Sequence, residues 1–388
     1  MHIIITGTRG IPNRHGGFER FAAEAARRWA AAGHRVEVYN PAGHPFRRRT
    51  WQGVTLLRKP FPHRLLGKAA VLVYDLLCFR DAYRRRPDVI LNCGHGNSFF
   101  IRRKNPVPVV TLTDGLEWKR AGWHPLVRRF FRMTEKTAVK RSRAVVADHP
   151  EIARWLETRY GATPAVIAYG AGIPGDTSLP AGATPGSMLK EVLQQQEETG
   201  KKATEKISVH ILPGKYFLTV ARFVPENNLH MILEGYIRSG IPYPLLLTGD
   251  TDNPYGRKLL RRYDGRAGII FTGALYDDRL LNILRHHARG YLHGHSAGGT
   301  NPALLEAMAA GCLIAAHDNP FNRYVLGEES RFFSSPEEVA ALLNSWDTYI
   351  INKEQMIRQY QNRIKREYSW EKVTRQYEEL FGRLIGEG

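Results

Sequence analysis

One pattern constrains this chain more than any other. Short apolar runs, each ended by a glycine or a polar residue, recur with helix-length segments between them. In the first half they are HIIITG (2–7), RVEVYN (35–40), DVILNC (88–93), PVVTLT (108–113) and AVVAD (144–148). In the second half they are YFLTVA (216–221), YPLLLTG (243–249), GIIFTG (268–273), RGYLHG (289–294) and CLIAAH (312–317). A parallel strand covered on both faces reads as a continuous apolar run, and neighbouring parallel strands need a crossover of helical length. The pattern predicts an α/β chain of two doubly wound, Rossmann-like domains, each with a cleft at the carboxyl ends of its strands.

The predicted divisions follow the composition. Residues 1–171 form the first domain and 215–365 the second. Between them, 172–214 is rich in Gly, Pro, Ser and Thr and reads as a linker, partly disordered, with a short helix at MLKEVLQQQEE. Residues 366–388 read as a C-terminal helix packing back on the first domain. The three cysteines form no CxxC pair, which argues against a zinc framework and suits a reducing cytoplasm. No apolar run is long enough to span a bilayer; the longest, Ala69 to Phe79, contains Asp75.

Charge separates the halves. The net charge is +19. Met1 to Gly170 carries 31 basic and 12 acidic residues, and the rest carries 25 of each, so the whole excess lies in the first half. It is clustered at Arg47–Arg49, Arg84–Arg86, Arg102–Lys104 and Lys136–Arg143. Such a half has an anionic partner: a membrane surface, a nucleic acid or a phosphorylated substrate. No nucleic-acid module is recognisable, so no specific nucleic acid is expected.

Four strand-end motifs carry chemistry. GTRGIPNRHGGFERF (7–21) joins the first strand to the first helix, and its Gly16–Gly17 doublet suits close approach of backbone N–H groups to a phosphate. HSAGGTNPALLEAM (295–308) repeats the grammar: Gly298, Gly299, Thr300 and Asn301 precede Pro302, and Glu306 follows in the second turn. A capping Thr or Asn explains one polar residue there, but not two glycines. An anion at the helix N-terminus is favoured, with Glu306 accepting from neutral hydroxyls such as a ribose. ARFVPENN (221–228) places Arg222 at a strand end as a phosphate clamp, with Asn227 beside it as a donor-binding residue. TDGLEWKRAGW (113–123) offers Asp114, Glu117 and two tryptophans, groups that suit sugar recognition. GDTDNP (249–254) imitates a metal-binding DxD but reads as an Asx-rich turn, so no metal is expected.

These motifs, in this order, resemble retaining glycosyltransferases of the GT-B fold, closest to bacterial rhamnosyltransferases of capsule, O-antigen and exopolysaccharide assembly. The resemblance covers nearly the whole chain outside 172–214. It implies a nucleotide-sugar donor on the second domain, approached by Gly16 and Gly17 of the first. Arg222 matches the family's phosphate-binding arginine and Glu306 its ribose-side glutamate. Where the broader family has a sugar-binding glutamate, this chain has Gly298; where it has a lysine, this chain has Asn227 and Asn228. The implied reaction is metal-independent transfer with retention, L-rhamnose from dTDP-rhamnose to a lipid-linked saccharide. Another hexose from a UDP- or GDP-sugar, and non-catalytic nucleotide-sugar binding, are the alternatives. No cofactor is implied. Arg222 would stabilise the leaving diphosphate, with Asp114 or Glu117 as acceptor contact or base. The implied location is the cytoplasm, peripheral on the inner membrane face.

Overall fold

The computed structural model describes residues 1–12, 16–63, 67–104, 107–113, 115, 118, 124–198, 211–266 and 268–386. The chain divides into two compact units. The first is Met1–Gly170 with the tail from Ser369 onward, and the second is Ala171–Tyr368.

In the first unit the strands are β1 (His2–Thr6), β2 (Arg35–Pro41), β3 (Thr50–Trp51), β4 (Val54–Lys59), β5 (Val89–Cys93), β6 (Val109–Thr113), β7 (Ala144–Ala147) and β8 (Ala165–Val166). The helices are α1 (Gly17–Ala31), α2 (Ala70–Arg85), α3 (Pro125–Arg141) and α4 (Pro150–Tyr160). One sheet runs β3-β4-β2-β1-β5-β6-β7-β8, and every described pairing is parallel except β3 with β4. Ile3, Ile4 and Ile5 are all fully buried, as are Val89, Ile90 and Leu91. Burial on both faces explains why these strands lack a period of two.

The second unit begins with α5 (Pro185–Glu198), followed by β9 (Phe217–Val220), α6 (Leu229–Ser239), β10 (Leu245–Thr248), α7 (Pro254–Tyr263), β11 (Ile269–Gly273), α8 (Asp278–His286) and β12 (Gly290–His293). Then come α9 (Pro302–Ala309), β13 (Ile314–His317), α10 (Pro320–Leu326), β14 (Arg331–Phe333), α11 (Pro336–Asn344), α12 (Trp346–Ile350) and α13 (Lys353–Arg363). A fully parallel sheet runs β11-β10-β9-β12-β13-β14. Two glycines make room for neighbouring side chains. A Cβ on Gly235 would lie 2.4 Å from Val339 Cβ, and one on Gly290 would lie 2.1 Å from the Trp346 ring.

The stretch read as a linker is not one in its described part. Leu189 and Leu193, one turn apart on α5, are buried, and α5 packs against α8. Gly186 N–H donates to Ile211 C=O, and His287 Nε2 lies 3.0 Å from the Thr177 carbonyl oxygen. An i, i+4 leucine pair supplies an apolar stripe that must be covered, which the polar composition around it disguises. Residues 199–210 lie outside the described residues.

The C-terminal tail leaves the second unit after a π-helical stretch, Ile364–Tyr368. Its last helix, α14 (Trp370–Gly386), joins the first unit. Trp29 Nε1–H donates to Thr374 C=O at 3.2 Å, and Trp29 meets Tyr377 and Phe381 edge-on at 5.9 and 5.5 Å. Gly170 leaves room for the Trp370 ring, which a Cβ would meet at 2.5 Å.

Candidate functional site

In the second unit, β9 has β10 on one side and β12 on the other. The crossovers leaving β9 therefore reverse direction there. Such a switch point opens a crevice outside the strand ends, and its two loops line it. Those loops are ARFVPENN after β9 and HSAGGTNP after β12, so the fold brings together two motifs far apart in the chain.

Amide side chains stitch the loops. Asn227, buried, donates Nδ2–H to Arg222 C=O at 2.7 Å, and its Oδ1 accepts from His295 Nδ1 at 2.7 Å. Asn228, at φ +46°, donates to Gly294 C=O at 2.9 Å. Ser296 donates both its N–H and its hydroxyl to Glu226 C=O. Gly294 is forced by contact, since a Cβ there would lie 2.1 Å from Asn227 O. From the other side, Asn319 and Asn322 each donate to the carbonyls of His295 and His317. The loop after β12 is thus held on both flanks by neutral amides, which fix geometry without adding charge.

Arg222 is exposed at the end of β9. Gly298 adopts φ +114°, a conformation that L side chains rarely take. Thr300 is buried. Asn301 is the N-cap of α9, its Oδ1 accepting from Ala303 N–H at 2.9 Å, so that oxygen serves the helix itself. Glu306, in the second turn of α9, accepts from Arg285 Nη2 at 2.5 Å. Arg285 is 2% exposed, and its Nε has no partner among the described residues. His293 is fully buried, and burial pushes its pKa down to about 3, so it is neutral.

The other expected residues fall as follows. Gly16 is the N-cap of α1, with φ −70° and no side-chain cap. A Cβ at Gly16 would find nothing nearer than Glu19 Oε2 at 3.9 Å, so neither backbone strain nor packing requires glycine there. Gly17 opens the helix. Asp114 and Glu117 lie outside the described residues. Their neighbour Trp118 is described, and its surroundings differ from the open stacking face that the motif suggests. Its indole donates to Glu135 at 3.3 Å, packs on Trp155 at 5.1 Å and carries Arg132 at 4.6 Å. Glu135 also accepts from Trp155 and Tyr160. The buried Glu135 carboxylate thus ties Trp118 and two residues of α4 to α3.

In GDTDNP, Asp250 accepts from Asp252 N–H, Asp252 pairs with Arg257 at 2.7 Å, and Asn253 caps α7. Among the described residues no His, Cys, Asp and Glu cluster suited to a metal is present. Sequence reasoning missed Arg285. Its signal was its spacing, four residues after Leu281, which puts it on the buried face of α8.

Known proteins agree with this architecture. The model of Glycosyltransferase Family 4 matches residues 15–170, and that of Glycosyl transferases group 1 matches 201–366. The chain has the GT-B fold and carries two glycosyltransferase domains. Among solved structures it is similar to sucrose-phosphate synthase from Thermosynechococcus elongatus, with TM-score 0.73 and 16% identity over 100% of this chain and 99% of that one. Anabaena Alr3699/HepE in complex with UDP-glucose gives TM-score 0.70 and 15% identity, over 98% and 99%. The catalytic domain of Arabidopsis thaliana starch synthase IV, bound to ADP and acarbose, gives 0.71 and 14%, over 99% of each. No curated protein matches the sequence. Among the described residues no helix is long and apolar enough to cross a membrane.

Proposed function

We propose that this GT-B chain transfers a sugar from a nucleoside-diphosphate donor to a lipid-linked saccharide, with retention and without a metal. The observation that carries the donor half is the meeting of the Arg222 and Gly298–Asn301 loops at the β9/β12 switch point. Breaking the sugar–phosphate bond leaves negative charge on the diphosphate and positive character on the sugar. Arg222 and backbone N–H groups at the start of α9 stabilise the former without reorganising, because amides already hold their loops. Glu306, steadied by Arg285, accepts from a ribose hydroxyl. The relatives crystallised with UDP-glucose and with ADP are consistent with a nucleoside-diphosphate site. The motif resemblance favours dTDP-rhamnose as the donor.

The acceptor half rests on the basic first unit. Along α3, Leu126 and Met133 are 70% and 50% exposed, and Arg128, Arg129, Arg132, Lys136 and Lys140 are interleaved with them. Apolar residues among cations suit shallow contact with an anionic leaflet, each cation adding about 1 kcal/mol at most. The test is turnover of UDP-, ADP-, GDP- and dTDP-sugars with a lipid-linked acceptor and anomeric analysis of the product. Absence of nucleotide binding would refute the donor half. For the membrane half, vesicle co-sedimentation should need anionic lipid and fall with salt; equal binding to neutral vesicles would refute it.

A further inference from the structure

The loop after β12 is clamped from a helix that carries none of the motifs. The ladder between β12 and β13 ends at the pair His293 and Ala316. Beyond it β12 runs into the loop before α9, and β13 runs past His317 into α10. Carbonyls just past a last rung need other partners. Asn322, in the first turn of α10, supplies one to each chain. Its Nδ2 donates to His295 C=O at 2.9 Å and to His317 C=O at 2.8 Å. Both acceptors are carbonyls, so only the NH2 end can face them, and its two hydrogens match its two partners. Asn319 adds its own Nδ2, 3.0 Å from the His295 oxygen and 3.1 Å from that of His317.

Helix α10 itself does not require this asparagine. Asn319 already caps it, its Oδ1 accepting from Asn322 N–H at 2.9 Å. Asparagine is a weak helix former, and an amide side chain only 2% exposed is costly unless it is hydrogen-bonded. Alanine would serve the helix better. The residue is explained by what it holds. At His295 the two flanks of the loop meet: its carbonyl takes Asn319 and Asn322, and its Nδ1 meets Asn227 Oδ1 at 2.7 Å. Gly298 and Gly299 follow, of the least restrained residue type, and Asn301 is tied to α9 by its cap on Ala303 N–H. A stretch containing two glycines takes its course from its ends, so His295 and Asn301 together set the path of the backbone between them.

We propose that Asn322 is a positioning residue for sugar transfer, holding the 295–301 backbone where the leaving diphosphate gains charge. This role rests on the nucleotide-sugar reading and adds to it a buried residue that acts through the loop. Donors stabilise growing charge only where they stand ready before the bond breaks, and a displacement of about 1 Å costs on the order of 100-fold. Glu306, in the second turn of α9, is held by Arg285 and lies outside this clamp. Loosening the clamp therefore spares the ribose contact and strikes the transition state, which lowers kcat more than it raises KM.

The experiment compares the full chain with Asn322→Ala, Asn322→Ser and Asn322→Asp. Amide hydrogen exchange read by mass spectrometry needs no substrate. In Asn322→Ala, exchange across 295–301 should quicken at least about tenfold while the β9/β10 ladder stays protected. Release of nucleoside diphosphate from UDP-, ADP-, GDP- and dTDP-hexoses gives kcat and KM. Asn322→Ala should lower kcat about 10–100-fold, with KM for the donor within about threefold of the parent. Aspartate keeps the volume but turns oxygens toward both carbonyls, so it should be slower than alanine. Serine keeps one donor, folds where alanine does not, and should lower kcat at least about threefold. Exchange across 295–301 unchanged in Asn322→Ala, kcat within about twofold of the parent, a loss confined to KM, or a serine variant as fast as the parent each overturns the proposal. Failure of the parent to turn over any sugar nucleotide refutes the donor reading instead, and the exchange result still decides whether Asn322 holds the loop.

Discussion

Arg285→Met isolates the ion pair beneath α9. Arg285 is 2% exposed and its Nη2 sits 2.5 Å from Glu306 Oε2, while the Glu306 side chain keeps 15% of its exposure. Methionine matches the aliphatic stem but leaves Glu306 without its cation. Losing one partner of a fully buried pair costs about 3–5 kcal/mol, because the surviving charge is stranded. Glu306 retains a path to solvent, so about 2–4 kcal/mol is expected. In a unit of this size each kcal/mol moves the melting temperature by roughly 2–4 °C, which makes the loss easy to see in a thermal scan. The double variant Arg285→Met with Glu306→Gln removes the stranded charge and should recover more than half of the loss. Urea titrations of the four proteins give the coupling energy directly. A cost below about 1 kcal/mol, or a double variant as unstable as Arg285→Met, would show that the two side chains are neighbours without coupling. Nucleotide binding separates stability from function: Glu306→Gln should weaken it even where the fold is intact.

Arg222→Ala should cost on the order of 2–4 kcal/mol in transition-state stabilisation, read as kcat/KM for the donor; a near-normal rate would reduce Arg222 to a surface cation. Gly299→Val should weaken donor binding severely with the fold intact, and tight nucleotide binding by calorimetry would defeat that assignment. Gly235→Val places a side chain where even a Cβ would meet Val339 at 2.4 Å. It should destabilise the second unit by about 1–3 kcal/mol or more through forced separation of α6 and α11, checked by urea titration. Turnover should survive EDTA; loss restored by Mg²⁺ or Mn²⁺ would turn attention back to Asp250 and Asp252.

Strand-rich information was legible because burial on both faces writes itself as local apolar runs: Ile3–Ile5 and Val89–Leu91 announce strands without neighbours. The loops after β9 and β12 were legible as motifs, since a Gly298–Gly299 pair directly before a helix exceeds what capping needs and Arg222 follows a strand. Their stitching was not, because Asn227 to His295 is a contact across 68 positions, set by strand order. The packing of α5 was hidden by the polar residues around Leu189 and Leu193. Trp118 misled in the opposite sense. An aromatic beside acids suggests sugar stacking, and only the fold reveals that Glu135, on the following helix, takes its indole N–H.

The chemistry at the β9/β12 switch point matches the donor half of the proposed reaction. At β9/β12 the polar groups are amides and backbone, with His293 held neutral by burial and Arg222 the cation at the strand end. Fixed dipoles suit a diphosphate, whose charge grows during the reaction and must meet donors already in place. Arg222→Ala removes the charge but leaves the amide-held loops in place, so it should lower kcat for the donor more than it weakens nucleotide binding, and a loss confined to binding would refute that division of labour.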